Sequence, residues 1–144
     1  MADKKEAQAD TKNRTPEDQR FINEHGDELS DTTAKYGKWI HNLDEHEDRP
    51  GQSLVTRSHD VIQHWAEERG GTPATVPGTG PGEGPGVLRF NFPGYGGDRL
   101  EEISWEDFFK VFDDRKLVFL YQEHKSNGDQ SNFFRFDNPE REDA

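Results

Sequence analysis

No cysteine occurs in the chain, which excludes disulfides, thiolate metal sites and cysteine nucleophiles together. No apolar run approaches the ~20 residues needed to cross a bilayer. The first ten residues, Met1 to Asp10, are charged and hold nothing like the apolar segment of a secretory signal. The cytoplasm is therefore the expected location. Apolar side chains are scarce as well: Leu, Ile, Val and Phe number 27 among 144 residues. That is close to the composition at which a chain fails to bury enough surface to offset its ordering entropy.

Signatures of common enzymes are missing too. Gly94-Tyr95-Gly96-Gly97 lacks the spacing of a phosphate-cradling loop and runs into Asp98, which would repel phosphate. Neither a G-x-S-x-G elbow nor an H-E-x-x-H helix is present. No nucleophile with an attached base can be picked out, and no cofactor is expected.

The apolar material that exists is concentrated. Nine of the ten phenylalanines lie between Phe90 and Phe136. Thirty acidic residues face eighteen basic ones, for a net charge of −12, and the excess is spread along the whole chain. A field of that sign disfavours general binding to nucleic acid or to anionic membrane.

Residues 1–28 carry only Phe21 and Ile22 as sizeable apolar groups and read as a disordered acidic arm, with a turn starting at Thr15-Pro16-Glu17. Residues 137–144 read as a disordered tail. Between them, 29–136 read as a single α+β domain. Leu29, Thr33, Tyr36 and Ile40 trace a weak helical stripe that Gly37 interrupts. A firmer helix is capped by Ser58, carries Val61, Ile62, Trp65 and Ala66 on one face, and stops at Gly70-Gly71. The Gly/Pro-rich stretch at 70–86 predicts a mobile loop.

Beyond it the pattern sharpens. Val87 to Phe92 alternates as a half-buried strand does. Ser104 opens a helix with Asp107 completing an approximate capping box and Trp105, Phe108, Phe109 and Phe112 along one face. A hairpin follows over 117–124 and 131–136 around Asn127-Gly128, in a register that sets Phe119 opposite Phe136 and Tyr121 opposite Phe134. The expected fold is a small antiparallel three-stranded sheet covered on one face by two or three helices. Trp65 and Trp105 are both expected in its core.

One region resists structural explanation. The loop from His41 to Arg49 is crowded with charge and holds His41, Asp44, His46 and Glu47. With Trp39 and Arg49 these residues form the candidate binding surface of a protein-interaction domain. Imidazole and carboxylates in one loop also allow a metal-dependent enzyme using His41, Asp44, His46 and Glu47. A third reading is a carbohydrate- or nucleic-acid-binding module that stacks its ligand on Trp39 and Tyr95 beside nearby arginine.

Several of these stretches share a pattern: Lys38-Trp39-Ile40-His41, Asp44 through Gln52, Thr56 through Ile62, Trp65 through Gly71, Pro73-Ala74-Thr75, Ile103 through Phe109, and Leu117 through Tyr121. Over about residues 29–136 the chain resembles a family of small, uncharacterised bacterial proteins, some of which bear the label glucan-branching enzyme. That label implies a (β/α)₈ barrel, which takes about 250 residues. This chain cannot house one, so the resemblance carries over no catalytic residue. The expected partner is another protein.

Overall fold

The computed structural model of the chain describes residues 13–25, 28–45, 47, 49–77, 86–92 and 100–138. Its first element begins at Thr15. Asp18 N donates to Thr15 Oγ1 at 3.1 Å, and Thr15 N donates to Asp18 Oδ2 at 2.9 Å, a reciprocal capping box with Pro16 in the first helical position. Helix α1 follows over Pro16–His25 and buries Phe21 and Ile22. The expectation of a disordered arm is thereby corrected for residues 13–25; residues 1–12 lie outside the described residues.

A π-helical turn, Thr32–Tyr36, leads into strand β1, Lys38–Ile40, where the apolar stripe had suggested a single helix. Gly37 makes this passage possible. A Cβ there would collide with Val55 Cγ2 and meet the Thr32 carbonyl oxygen at 2.8 Å. Strand β2, Leu54–Thr56, is followed by helix α2, His59–Glu68, whose cap is Ser58: its side chain accepts from Val61 N. Strand β3, Thr72–Thr75, occupies part of the stretch expected to be a loop, and residues 78–85 lie outside the described residues. Pro73 is tolerated there because the N and C=O of a strand residue point the same way. Its missing donor faces the side on which its own carbonyl accepts from Ile103 N at 3.0 Å.

Strand β4 is Leu88–Asn91, and the short strand β5 is Glu101–Glu102. Helix α3, Trp105–Asp114, starts at Ser104, which accepts from Asp107 N as its sequence grammar requires. Strands β6, Val118–Tyr121, and β7, Phe134–Asp137, complete the chain.

The fold is mixed α and β with two sheets, not one. Sheet A has the order β1-β2-β6-β7, with β1 and β2 parallel and the other pairs antiparallel. Sheet B has the order β4-β3-β5 and is antiparallel. Strand β4 therefore does not join the hairpin strands. The register Phe119 to Phe136 and Tyr121 to Phe134 is as the sequence pattern predicts. The turn is longer than two residues: Gly128, at φ +93°, sits in a loop closed by a bridge between His124 and Gln130. Residue 137 is the last of β7, so the expectation of a disordered tail is corrected there; residues 139–144 lie outside the described residues.

Strands β1, β2 and β6 of sheet A are covered on both faces. Ile40, Leu54, Phe119 and Tyr121 face an aromatic core built with α2, α3 and β4, centred on Trp65, Phe90 and Phe108. The alternate residues Trp39, Val55, Val118 and Leu120 face the other way and are covered by Phe21, Ile22 and Leu29. Each fully buried side chain of this kind contributes about 1.5–3 kcal/mol. Helix α1 is therefore a lid over a second core.

Candidate functional site

The charged loop between β1 and β2 has a topological cause. The two strands are parallel neighbours, so the chain must travel from the end of one back to the start of the other, and such a crossover takes about a dozen residues or more. Residues 41–53 are that crossover.

Its charges hold it in place. Lys38 Nζ donates to Glu47 Oε1 at 3.0 Å, while Arg49 N and Nε donate to Glu47 Oε2 at 2.9 and 3.1 Å. Glu47 is buried, and burial alone would raise its pKa. The bonds from Arg49 and Lys38 override this and hold the carboxyl at about 2. His41 is half-buried between two carboxylates, with Asp18 Oδ2 2.5 Å from Nε2 and Glu45 Oε1 3.0 Å from Nδ1. Burial acts to lower the His41 pKa, but its hydrogen bonds to Asp18 and Glu45 win and raise it. Through Asp18 this imidazole fastens α1 to the crossover.

Of the candidate surface, Trp39 is 1% exposed and belongs to the second core, so it is no stacking platform. His41 and Glu47 are committed to the contacts above. Asp44 and Arg49 are exposed, and His46 and Tyr95 lie outside the described residues. His41, Asp44 and Glu47 do not converge on one point, and among the described residues no group of three His, Asp or Glu side chains is placed to hold a metal ion. His59 stacks on Phe109 at 4.1 Å and bonds Asp113, and His64 pairs with Glu68.

Opposite pH windows follow for the two clamps. A raised His41 pKa means that its contribution is complete below ~6.5, the ordinary histidine value, and fades as pH climbs through the folded-state value. The stability difference between the protein and its His41→Ala variant should therefore shrink from pH 6 to pH 9. Glu47 contributes fully above ~4.5, and that contribution should be lost as pH falls toward about 2. Urea midpoints across pH would check both; a His41 difference that grows with pH would show that the imidazole is not clamped as a cation.

A cleft of about 400 Å³ opens between α1 and the start of α2, and Asp18, His41 and Ser58 all line it. They are not a catalytic triad. Both ring nitrogens of His41 are held by carboxylates, and Ser58 Oγ is engaged as the cap of α2.

A different cleft, of about 470 Å³, is chemically more distinctive. Its described lining includes Arg89, Arg115 and Arg135, and no carboxylate. Leu88, Leu117, Phe134 and Phe136 supply an apolar floor, with Val87 and Asn138 at the margin. Arg89 and Arg135 are exposed, while Arg115 is half-buried and donates to the Gly86 carbonyl at 3.0 Å. In a chain of net charge −12, three arginines on one cleft, with no carboxylate among its described lining residues, are a local reversal of sign. The volume falls within the ~300–1,000 Å³ typical of ligand sites.

Compared with family models, curated proteins and solved structures, the chain matches none. Among the described residues no helix is long and apolar enough to cross a membrane. Nothing in the sequence marks the arginine cleft as a unit. Arg89 and Arg135 each occupy an ordinary polar position of an alternating strand, and Arg115 ends a helix. Only the meeting of the two sheets gathers them.

Proposed function

We propose that the chain is a protein-interaction domain and that its binding surface is the arginine cleft, which takes an acidic segment of a partner. The observation that carries this reading is the lining itself: the exposed guanidinium groups of Arg89 and Arg135 beside two half-buried phenylalanines, with no carboxylate among the described residues that line the cleft. Arginine and aromatic residues are the side chains enriched at protein interfaces, and a guanidinium pairs with a carboxylate in bidentate fashion. The cleft replaces the His41–Arg49 loop in this role, because that loop's buried charges are spent on holding the crossover and α1.

A capped octapeptide of alternating Glu and Val, titrated calorimetrically into the full chain, is a direct test. The peptide should bind, and the double variant Arg89→Ala/Arg135→Ala should weaken it at least tenfold, about 1.4 kcal/mol. Both arginines are exposed, so thermal stability should change by no more than about 0.5 kcal/mol per site. An affinity unaffected by the double variant would remove the cleft from the function. An eight-nucleotide thymidine strand should bind more weakly than the peptide; if it binds more tightly, the partner is not an acidic protein segment.

A further inference from the structure

Two sheets end at this cleft, and the pattern of its lining says how. Successive side chains of a strand point to opposite faces of the sheet, so three consecutive residues can border one cleft only where it runs along the strand's edge. Phe134, Arg135 and Phe136 of β7 are three such residues, while Leu88 and Arg89 of β4, with Val87 just before it, line the other wall. Strand β7 is the outermost strand of sheet A, and β4 is the outermost strand of sheet B. The cleft thus lies along the edge of β7 and beside the start of β4. Among the described residues, no backbone hydrogen bond from another segment closes the outer edge of β7.

An open edge is a row of unsatisfied N–H and C=O groups that templates an added strand. Here it is set beside a Phe134–Phe136 floor and guanidinium groups on both walls. We infer that the partner's acidic segment binds as an extended strand added to the outer edge of β7, in the manner of β-augmentation. Backbone pairing with residues 134–137 supplies the register. Apolar side chains of the guest meet Phe134 and Phe136, and its carboxylates meet Arg89 and Arg135. Alternation of acidic and apolar residues is therefore the recognised pattern, because one face of the added strand sees the floor and the other sees the charge.

This inference rests on the cleft being the binding surface, and the test separates the two. Two versions of the Glu-Val octapeptide are needed, one N-methylated at every Val amide and the other at every Glu amide. Each loses the donors of one strand edge and keeps every carboxylate. Strand addition predicts that at least one version binds tenfold or more weakly than the parent, and that the amides of residues 134–137 gain hydrogen-exchange protection with the parent peptide. If the parent binds and both methylated peptides bind equally well, strand addition is wrong while the cleft reading survives. If the parent does not bind at all, the cleft reading fails and takes this inference with it; the arginines then serve to keep the open edge from pairing with other chains.

Discussion

Replacing Trp65 by alanine should cost about 3–5 kcal/mol and leave much of the population unfolded, given typical total stabilities of about 5–15 kcal/mol. Trp65 is 3% exposed and lies within 6.1 Å, centroid to centroid, of Phe90, Phe92, Phe119, Tyr121 and Phe134. It thereby joins α2 to both sheets. Its Nε1 donates to the Gln122 carbonyl at 2.9 Å, and the Arg69 guanidinium stacks over its ring at 4.4 Å. Truncation opens a cavity, orphans a carbonyl and strips a buried cation of its aromatic partner. Trp105 provides the comparison. It was expected in the core by the same helical spacing, but it is half-buried at the rim, stacked on Phe109 at 5.3 Å. Trp105→Ala should cost clearly less, about 1–2 kcal/mol, in proportion to the smaller area removed from contact. Urea midpoints of the two variants decide the matter: equal losses, or a larger one at Trp105, would misplace the centre of the core.

Asp137→Ala should be the most damaging change to a charged residue, at about 3 kcal/mol. The Asp137 carboxylate is buried at the end of β7, where Oδ2 accepts from Ser30 N at 3.0 Å, from Ser30 Oγ at 2.9 Å and from Thr33 Oγ1. Hydrogen bonds to an ionised acceptor are worth about 1.5–3 kcal/mol each, and removing it strands buried donors at further cost. Asp137→Asn keeps an acceptor oxygen and should lose roughly half as much. Because the carboxylate holds the segment leading into β1, hydrogen exchange in residues 30–36 should accelerate more than in α2 or α3. Uniform acceleration would mean that Asp137 supports the fold globally and does not anchor that segment.

The same residue illustrates what a linear reading misses. Asp137 looked like the first residue of an acidic tail because its partners are 107 and 104 positions away in sequence. Helix α1 was closer to legible. Thr15-Pro16-Glu17-Asp18 is a helix start by its own chemistry, and Phe21 and Ile22 supply an apolar face. A face of two residues is too small to hold a helix by itself, and its cover, Trp39, Val55, Val118 and Leu120, is not adjacent in sequence. Strand β2 went unseen for a related reason. It is three residues long and buried on both faces, so Leu54-Val55-Thr56 shows no alternation.

Local rules were sufficient wherever the stabilising partner is itself local. Ser58 and Ser104 announce their helices because a cap bonds an amide three residues on, and the pairing of Phe119 with Phe136 follows from alternation across one hairpin. The sequence by itself therefore determined two helices, the β6–β7 register, the lack of thiol chemistry and the acidic field. Tertiary structure alone decided that there are two sheets, that β1, β2 and β6 are covered on both faces, that Trp39 is core and Trp105 rim, and that Arg89, Arg115 and Arg135 share a cleft. Each of these depends on contacts between segments far apart in the chain, where burial is set by which faces meet and no spacing along the chain records it.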